Sequence, residues 1–185
     1  MSSNTTFGPS ALATPANVVT AVRVAMTPVI AFLFLRYGPS WLAATLWIVV
    51  SLTDGADGWL ARKQGVTRSG AFLDPLADKI LVFGVFAVIV TRSATWWVPI
   101  VIMGVREIWM SYHRTNLARR GISVPARPLG KFKTVFQMAA IMVLITPDLG
   151  IFRHVLSVSL IWIALTLSMV SGFLYFVDGR RKIAR

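Results

Sequence analysis

Long apolar runs separated by short polar punctuation dominate this chain. Six such segments stand out, at about 18–36, 41–61, 71–91, 95–118, 131–147 and 153–177. Several approach the roughly 20 apolar residues needed to cross about 30 Å of hydrocarbon. The connectors are short, and "RYGPS", "TRSAT" and "TPDLG" carry turn residues. No soluble domain fits between the segments, no sequence repeat is visible, and there is no room for the alternating strands of a closed barrel. Helices are therefore the spanning elements. The pattern predicts an all-α integral membrane protein with six transmembrane helices over 17–178, a short tail over 1–16 and a basic tail over 179–185. The leading "MSSNTTFGPSALATPANVV" has no basic residue ahead of a hydrophobic stretch, so a tail is expected there rather than a cleavable signal.

Composition strengthens that reading. Of 185 residues, 56% are hydrophobic and only 14% charged, with a mean hydropathy of +0.69. Soluble domains average about 25% charged residues. The absence of cysteine excludes disulfides, thiolate metal sites and a cysteine nucleophile. A net charge of +12 invites a nucleic-acid partner, but basic loops in a membrane chain more often report topology and contact with anionic lipid. No nucleic acid is expected. Thirteen loop lysines and arginines fall on one side of the predicted spans, against Arg36, Arg92 and Arg153 on the other. That bias predicts a multi-pass protein of the cell membrane with both termini in the cytoplasm. Trp41, Trp96 and Trp97 then sit at the outer interface, where indoles are common.

Against this background the acidic residues are unevenly placed. Four of the chain's seven lie in "DGADGWLARKQGVTRSGAFLDPLAD", between two apolar runs. Asp54 and Asp57 are spaced i, i+3 near the cytoplasmic end of the second segment, and Asp74 and Asp78 are spaced i, i+4 near that of the third. Each pair shares a helical face. Four facing carboxylates at low dielectric repel one another and resist ionisation, a difficulty that divalent cations remove. All-oxygen ligation suits Mg²⁺ or Mn²⁺, and two such ions are the usual arrangement for substitution at phosphorus. Small residues, among them Gly58, Ala61 and Gly70, leave room for a bulky ligand against the backbone. Arg62 offers a fork of donors to phosphate oxygens and Thr67 a hydroxyl, which together suggest a diphosphate substrate. A lone intramembrane aspartate would be read as a packing or ion-pair residue. Two pairs at one depth, with glycines interspersed, argue for a site.

The same stretch resembles the signature of the CDP-alcohol phosphotransferase family, D-x-x-D-G-x-x-A-R followed after seven or eight residues by G-x-x-x-D-x-x-x-D. Here Asp54, Asp57, Gly58, Ala61, Arg62, Gly70, Asp74 and Asp78 fill every signature position. The resemblance implies six helices with the site at the cytoplasmic face, two divalent cations, and displacement of CMP from a CDP-linked alcohol by a second alcohol. It makes Asp54, Asp57 and Asp74 metal ligands, and Asp78 both a ligand and the acceptor of the attacking hydroxyl's proton. It places Gly58, Arg62 and Thr67 at the CDP group, with Ala61 and Gly70 beside them, and adds Asn17, Val18, Val19 and Thr20 as a further nucleotide-contacting segment. A homodimer is implied by the resemblance alone.

A second set of polar residues lies in "VREIWMSYHRTNLARRGISVPARPLGKFKTVFQ". Arg119, Arg120 and Arg127 read as ordinary positive-inside topology. Arg106, inside an apolar helix with Glu107 beside it, and Lys131, at a helix start, read instead as an anion site, with Arg114 and Lys133 on the same side. A phosphorylated acceptor is expected. Within the family, "PANVVTAVRVAMTPV", "GAFLDPLADK", "REI" and "GKFKTVFQMAA" are similar to phosphatidylglycerolphosphate synthases. That implies CDP-diacylglycerol as donor, glycerol 3-phosphate as acceptor and CMP as product. Arg23 either serves the same polar cavity or snorkels to the interface. Rivals sharing the fold would use inositol phosphate, or phosphatidylglycerol as a cardiolipin synthase does. A cation transporter would spread its carboxylates through the membrane depth rather than gather them at one face.

Overall fold

The computed structural model describes residues 15–64, 70–93, 96–119 and 128–183, with side chains described over 19–53, 76–93, 96–119 and 129–180. Six helices account for nearly all of these residues: α1 (Pro15–Tyr37), α2 (Trp41–Gln64), α3 (Gly70–Arg92), α4 (Trp97–Arg119), α5 (Pro128–Ile145) and α6 (Gly150–Ile183). Among the described residues there is no strand. The 23 residues of α1 rise about 34 Å at 1.5 Å per residue, enough to cross the hydrocarbon of a bilayer. Two stretches, Val19–Tyr37 and Gly150–Arg180, are long and apolar enough to span on length and hydropathy, and Trp41–Thr53 is a shorter apolar helix.

The helix ends follow from local chemistry. Gly38 takes a φ of 77° and donates its N–H to the Phe34 carbonyl at 2.9 Å, closing α1 in the left-handed conformation that glycine adopts without strain. Ser40 caps α2, its hydroxyl accepting the Ala43 N–H at 3.3 Å. Its own N–H donates to the Ile145 carbonyl at 3.0 Å, fixing the α1–α2 turn to the end of α5. In "TPDLG", Asp148 (φ 60°) and Gly150 (φ 50°) make the reversal into α6; aspartate tolerates the left-handed region better than most side chains.

The chain forms two compact units, residues 1–88 with 145–147, and residues 89–144 with 148–185. In the first, Ile30, Phe34, Trp47, Leu81, Val85 and Phe86 make the buried core. In the second, Met103, Ile141, Ile161 and Ala164 are sealed, and Met110, Leu117 and Tyr175 form a further buried cluster. The outside is as apolar as the inside: Phe32, Leu52, Ile108, Ile151 and Phe173 are all more than half exposed. Such a surface would aggregate in water and belongs to a membrane protein. Hydroxyls inside the helices bond to their own backbone, as Ser157 does to the Arg153 carbonyl at 2.6 Å and Ser111 to that of Glu107 at 2.8 Å. Trp41 and Trp97 are exposed, whereas Trp96 turns inward against the His154 ring, centroids 5.8 Å apart.

Close packing of α1 on α3 depends on one glycine. A Cβ built on Gly84 would stand 2.8 Å from Thr27 Cγ2, and a β-branched threonine has little freedom to yield. Small residues at such crossings let membrane helices approach. Gly84→Ala should therefore destabilise the detergent-solubilised protein by about 1–3 kcal/mol, the usual cost of overpacking. Gly130→Ala, where nothing lies within 4 Å, should leave the melting temperature unchanged or raise it. Equal melting temperatures for the two variants would contradict the close crossing.

Candidate active site

The four signature aspartates all lie in continuous helix, Asp54 and Asp57 in α2 and Asp74 and Asp78 in α3. The i, i+3 and i, i+4 spacings therefore act as helical spacings. Of the four side chains, Asp78 alone is among those described. Asp54, Asp57 and Asp74, and with them Gly58, Ala61, Arg62, Thr67 and Gly70, lie outside the described side chains, as do Asn17 and Val18.

Asp78 is gripped from α1. Arg23 Nη1 donates to Asp78 Oδ1 at 2.9 Å, across 55 residues of sequence. The two partners differ in exposure: the Arg23 side chain is 1% exposed and that of Asp78 33%. Arg23 is thus sealed in the protein and does not snorkel. Asp78 presents one edge to the arginine and keeps accessible surface for a ligand. A buried guanidinium requires such a partner, because an isolated charge in a low-dielectric interior costs several kcal/mol. Its helix is built for the purpose. Thr20, Arg23 and Thr27, all buried, follow one another at heptad-like spacing along one face of α1, and Thr27 Oγ1 bonds back to the Arg23 carbonyl at 3.1 Å. Pro28, which follows, lacks an N–H for the carbonyl one turn before it.

The chemistry of the donor set fits divalent cations. The signature carboxylates lie on two consecutive helices, and Asp78, the one whose side chain is described, is accessible and ion-paired to Arg23. Oxygen donors of this kind suit Mg²⁺ or Mn²⁺ and offer nothing to a softer metal.

The second cluster lies wholly within the other unit. Glu107 of α4 is buried, and its Oε1 accepts from both Arg106 Nη1, at 2.6 Å, and Lys133 Nζ of α5. Arg106 Nη2 donates to Ser171 Oγ of α6 at 2.8 Å. Gly172 makes this approach possible, since a Cβ there would stand 2.9 Å from Arg106 Nε. That Nε is buried and meets no acceptor among the described residues. Of the cations expected at the acceptor, then, Arg106 and Lys133 meet. Arg114 lies instead over the Tyr175 ring, 5.4 Å from its centroid. Lys131 is exposed in the first turn of α5 and makes no ion pair among the described residues; residues i and i+2 of a helix do not share a face, which separates it from Lys133. Arg23 belongs to the first unit and serves Asp78.

Sequence reasoning noted Glu107 only as a neighbour of Arg106. Its signal was available: one of seven acidic residues in the chain, set inside an apolar helix. An aromatic group was missed altogether. His113 stacks on Trp109 at 5.5 Å and meets Tyr175 edge-on at 6.3 Å. Its one-turn spacing from Trp109 was legible, its partners on α6 were not.

Comparison with known proteins shows the family. Residues 13–170 match the profile of the family described as CDP-alcohol phosphatidyltransferase. A CDP-diacylglycerol–glycerol-3-phosphate 3-phosphatidyltransferase of Rickettsia bellii is 36% identical over 166 residues, covering 86% of this chain and 92% of that protein. The protein of the same description from Bacillus subtilis is 34% identical, again over 86% and 92%. A probable phosphatidylglycerophosphate synthase of Mycobacterium tuberculosis is 34% identical over 95% of this chain and 86% of its own. The matched region takes in α1 to α5, the signature aspartates and the Arg106–Glu107–Lys133 cluster, and the chain accordingly belongs to the CDP-alcohol phosphatidyltransferase family.

Proposed function

We propose that this protein transfers the phosphatidyl group of CDP-diacylglycerol to glycerol 3-phosphate, giving phosphatidylglycerol phosphate and CMP. The observation that carries the reading is the complete aspartate signature on two consecutive helices, with Asp78 accessible and ion-paired to a buried arginine. The family is generally dependent on divalent cations, and relatives at 34–36% identity are named for this reaction. The lysine and arginine bias supports six spans in the cell membrane, with the site and both termini on the cytoplasmic side.

The acceptor hydroxyl oxygen forms a new bond to the phosphorus that carries diacylglycerol. The bond from that phosphorus to the bridging oxygen breaks, and CMP leaves with the electron pair. Asp78 takes the hydroxyl proton, and Arg23 keeps its carboxylate aligned while that happens. Two divalent cations held by Asp54, Asp57, Asp74 and Asp78 would neutralise the diphosphate oxygens and the leaving CMP. Gly58, Ala61 and Gly70 leave space for the CDP group, with Arg62, Thr67 and the start of α1 from Asn17 to Thr20 around it. Arg106 and Lys133, with Lys131 and Arg114 as a wider positive field, take the acceptor's phosphate.

Three outcomes test this. CMP release by the purified protein with CDP-diacylglycerol should require glycerol 3-phosphate, with inositol phosphate and phosphatidylglycerol giving none; turnover with either of those instead would sink the acceptor assignment. Asp78→Asn should lower the kcat of the folded enzyme by at least about a hundredfold, the scale of a lost general base, and should melt below wild type because buried Arg23 loses this carboxylate; retained activity would remove its role as base. Arg106→Ala should raise the KM for glycerol 3-phosphate by about tenfold or more, as truncating one member of a buried charge pair does. An unchanged acceptor KM would remove Arg106 from the pocket.

A further inference from the structure

Glu107 presents a problem of sign. It lies between two cations assigned to an anionic substrate, and it carries the same charge as that substrate. Its carboxylate is not a surface ornament: the side chains of Arg106, Glu107 and Lys133 are 11%, 12% and 12% exposed. Neighbouring residues on a helix point about 100° apart and do not normally meet. Arg106 nevertheless bends to Glu107, and Lys133 comes across from α5 to the same oxygen. The cluster thus gathers two cations, from two helices, on one carboxylate oxygen. It also keeps a buried guanidinium N–H, Arg106 Nε, with no acceptor among the described residues.

From this we infer that Glu107 is a positioning residue for the acceptor: it draws Arg106 and Lys133 to a single point so that a phosphomonoester meets a preformed pair of cations. The inference rests on the reading of these two cations as the acceptor's phosphate site. Without Glu107, two like charges a few ångströms apart repel each other. Lys133, on a flexible four-carbon stem, loses the contact that brings it to Arg106, and the phosphate must gather its own site at the moment of binding. Ser171 and Gly172 of α6 hold the far side of Arg106. Glu107 is the residue through which Arg106 of α4 and Lys133 of α5 meet.

The test is steady-state kinetics of Glu107→Gln in detergent–lipid micelles, with glycerol 3-phosphate varied at saturating CDP-diacylglycerol. The KM for glycerol 3-phosphate should rise about tenfold or more, the scale of losing a group that orients direct ligands, with a much smaller change in kcat and in the KM for CDP-diacylglycerol. Glu107→Asp, which keeps the charge but draws it back by one methylene, should lie between wild type and Glu107→Gln. It reads the same quantity if the glutamine variant does not accumulate. A purely structural role would lower the melting temperature and kcat and leave the acceptor KM in place. An unchanged acceptor KM in both variants overturns the inference, and so does a lower one, which would make Glu107 a competitor of the phosphate. Lys133→Ala separates this failure from that of the underlying reading. If Lys133→Ala raises the acceptor KM while Glu107→Gln does not, only the role of Glu107 falls. If neither does, the phosphate site itself is elsewhere.

Discussion

A charge carried into hydrocarbon must find its partner inside the protein, and this constraint shapes what the chain does with its scarce ionisable residues. Water is not there to solvate an isolated carboxylate or guanidinium, so each buried charge is paired or holds a ligand. The Arg23–Asp78 pair meets the requirement in one unit and the Arg106–Glu107–Lys133 cluster in the other. Neither is strong evidence of stability, since hydrophobic replacements of similar volume often cost nothing. Both are placed by elements whose own formation is unremarkable: apolar helices, α1 closed at Gly38 and α2 capped by Ser40.

The two clusters differ in a way that suits their proposed tasks. In the first, the arginine is sealed and the carboxylate accessible, so the negative end is the one offered to reactants. In the second, one carboxylate oxygen holds two cations together. A metal-dependent displacement at phosphorus needs both: carboxylates where cations and a proton are handled, and fixed positive charge where an anionic alcohol binds. Glycines at the closest approaches, Gly84 against Thr27 and Gly172 against Arg106, let the helices come near enough for the pairs to form.

Much of the fold was legible along the chain, because the punctuation is local. The segment predicted at 41–61 is α2 at Trp41–Gln64, and that at 71–91 is α3 at Gly70–Arg92. The least accurate end belongs to α6, which runs to Ile183 because hydrophobicity alone says nothing of where a helix continues into polar residues. The aspartate pairs were legible for the same local reason, since their spacing is helical. What the sequence could not supply is partnership across elements. It marks Arg106 as a charge inside an apolar helix, and leaves Arg23 between a polar cavity and the interface. It does not say that Arg23 finds a carboxylate 55 residues away, or that Lys133 rather than Lys131 turns inward. Those choices are made by helix rotation and packing. Trp96 illustrates the same limit, since its neighbour Trp97 is exposed while it packs on His154.

The central claim is that an alcohol attacks the lipid-bearing phosphorus and CMP departs. It is tested most directly by supplying glycerol 3-phosphate labelled with oxygen-18 at its free hydroxyls to the reconstituted protein with CDP-diacylglycerol and a divalent cation. Mass analysis of both products then locates the label. The account predicts oxygen-18 at the new phosphodiester of phosphatidylglycerol phosphate and none in CMP. Label in a cytidylyl ester, with phosphatidic acid as the other product, would place the attack on the wrong phosphorus and contradict it.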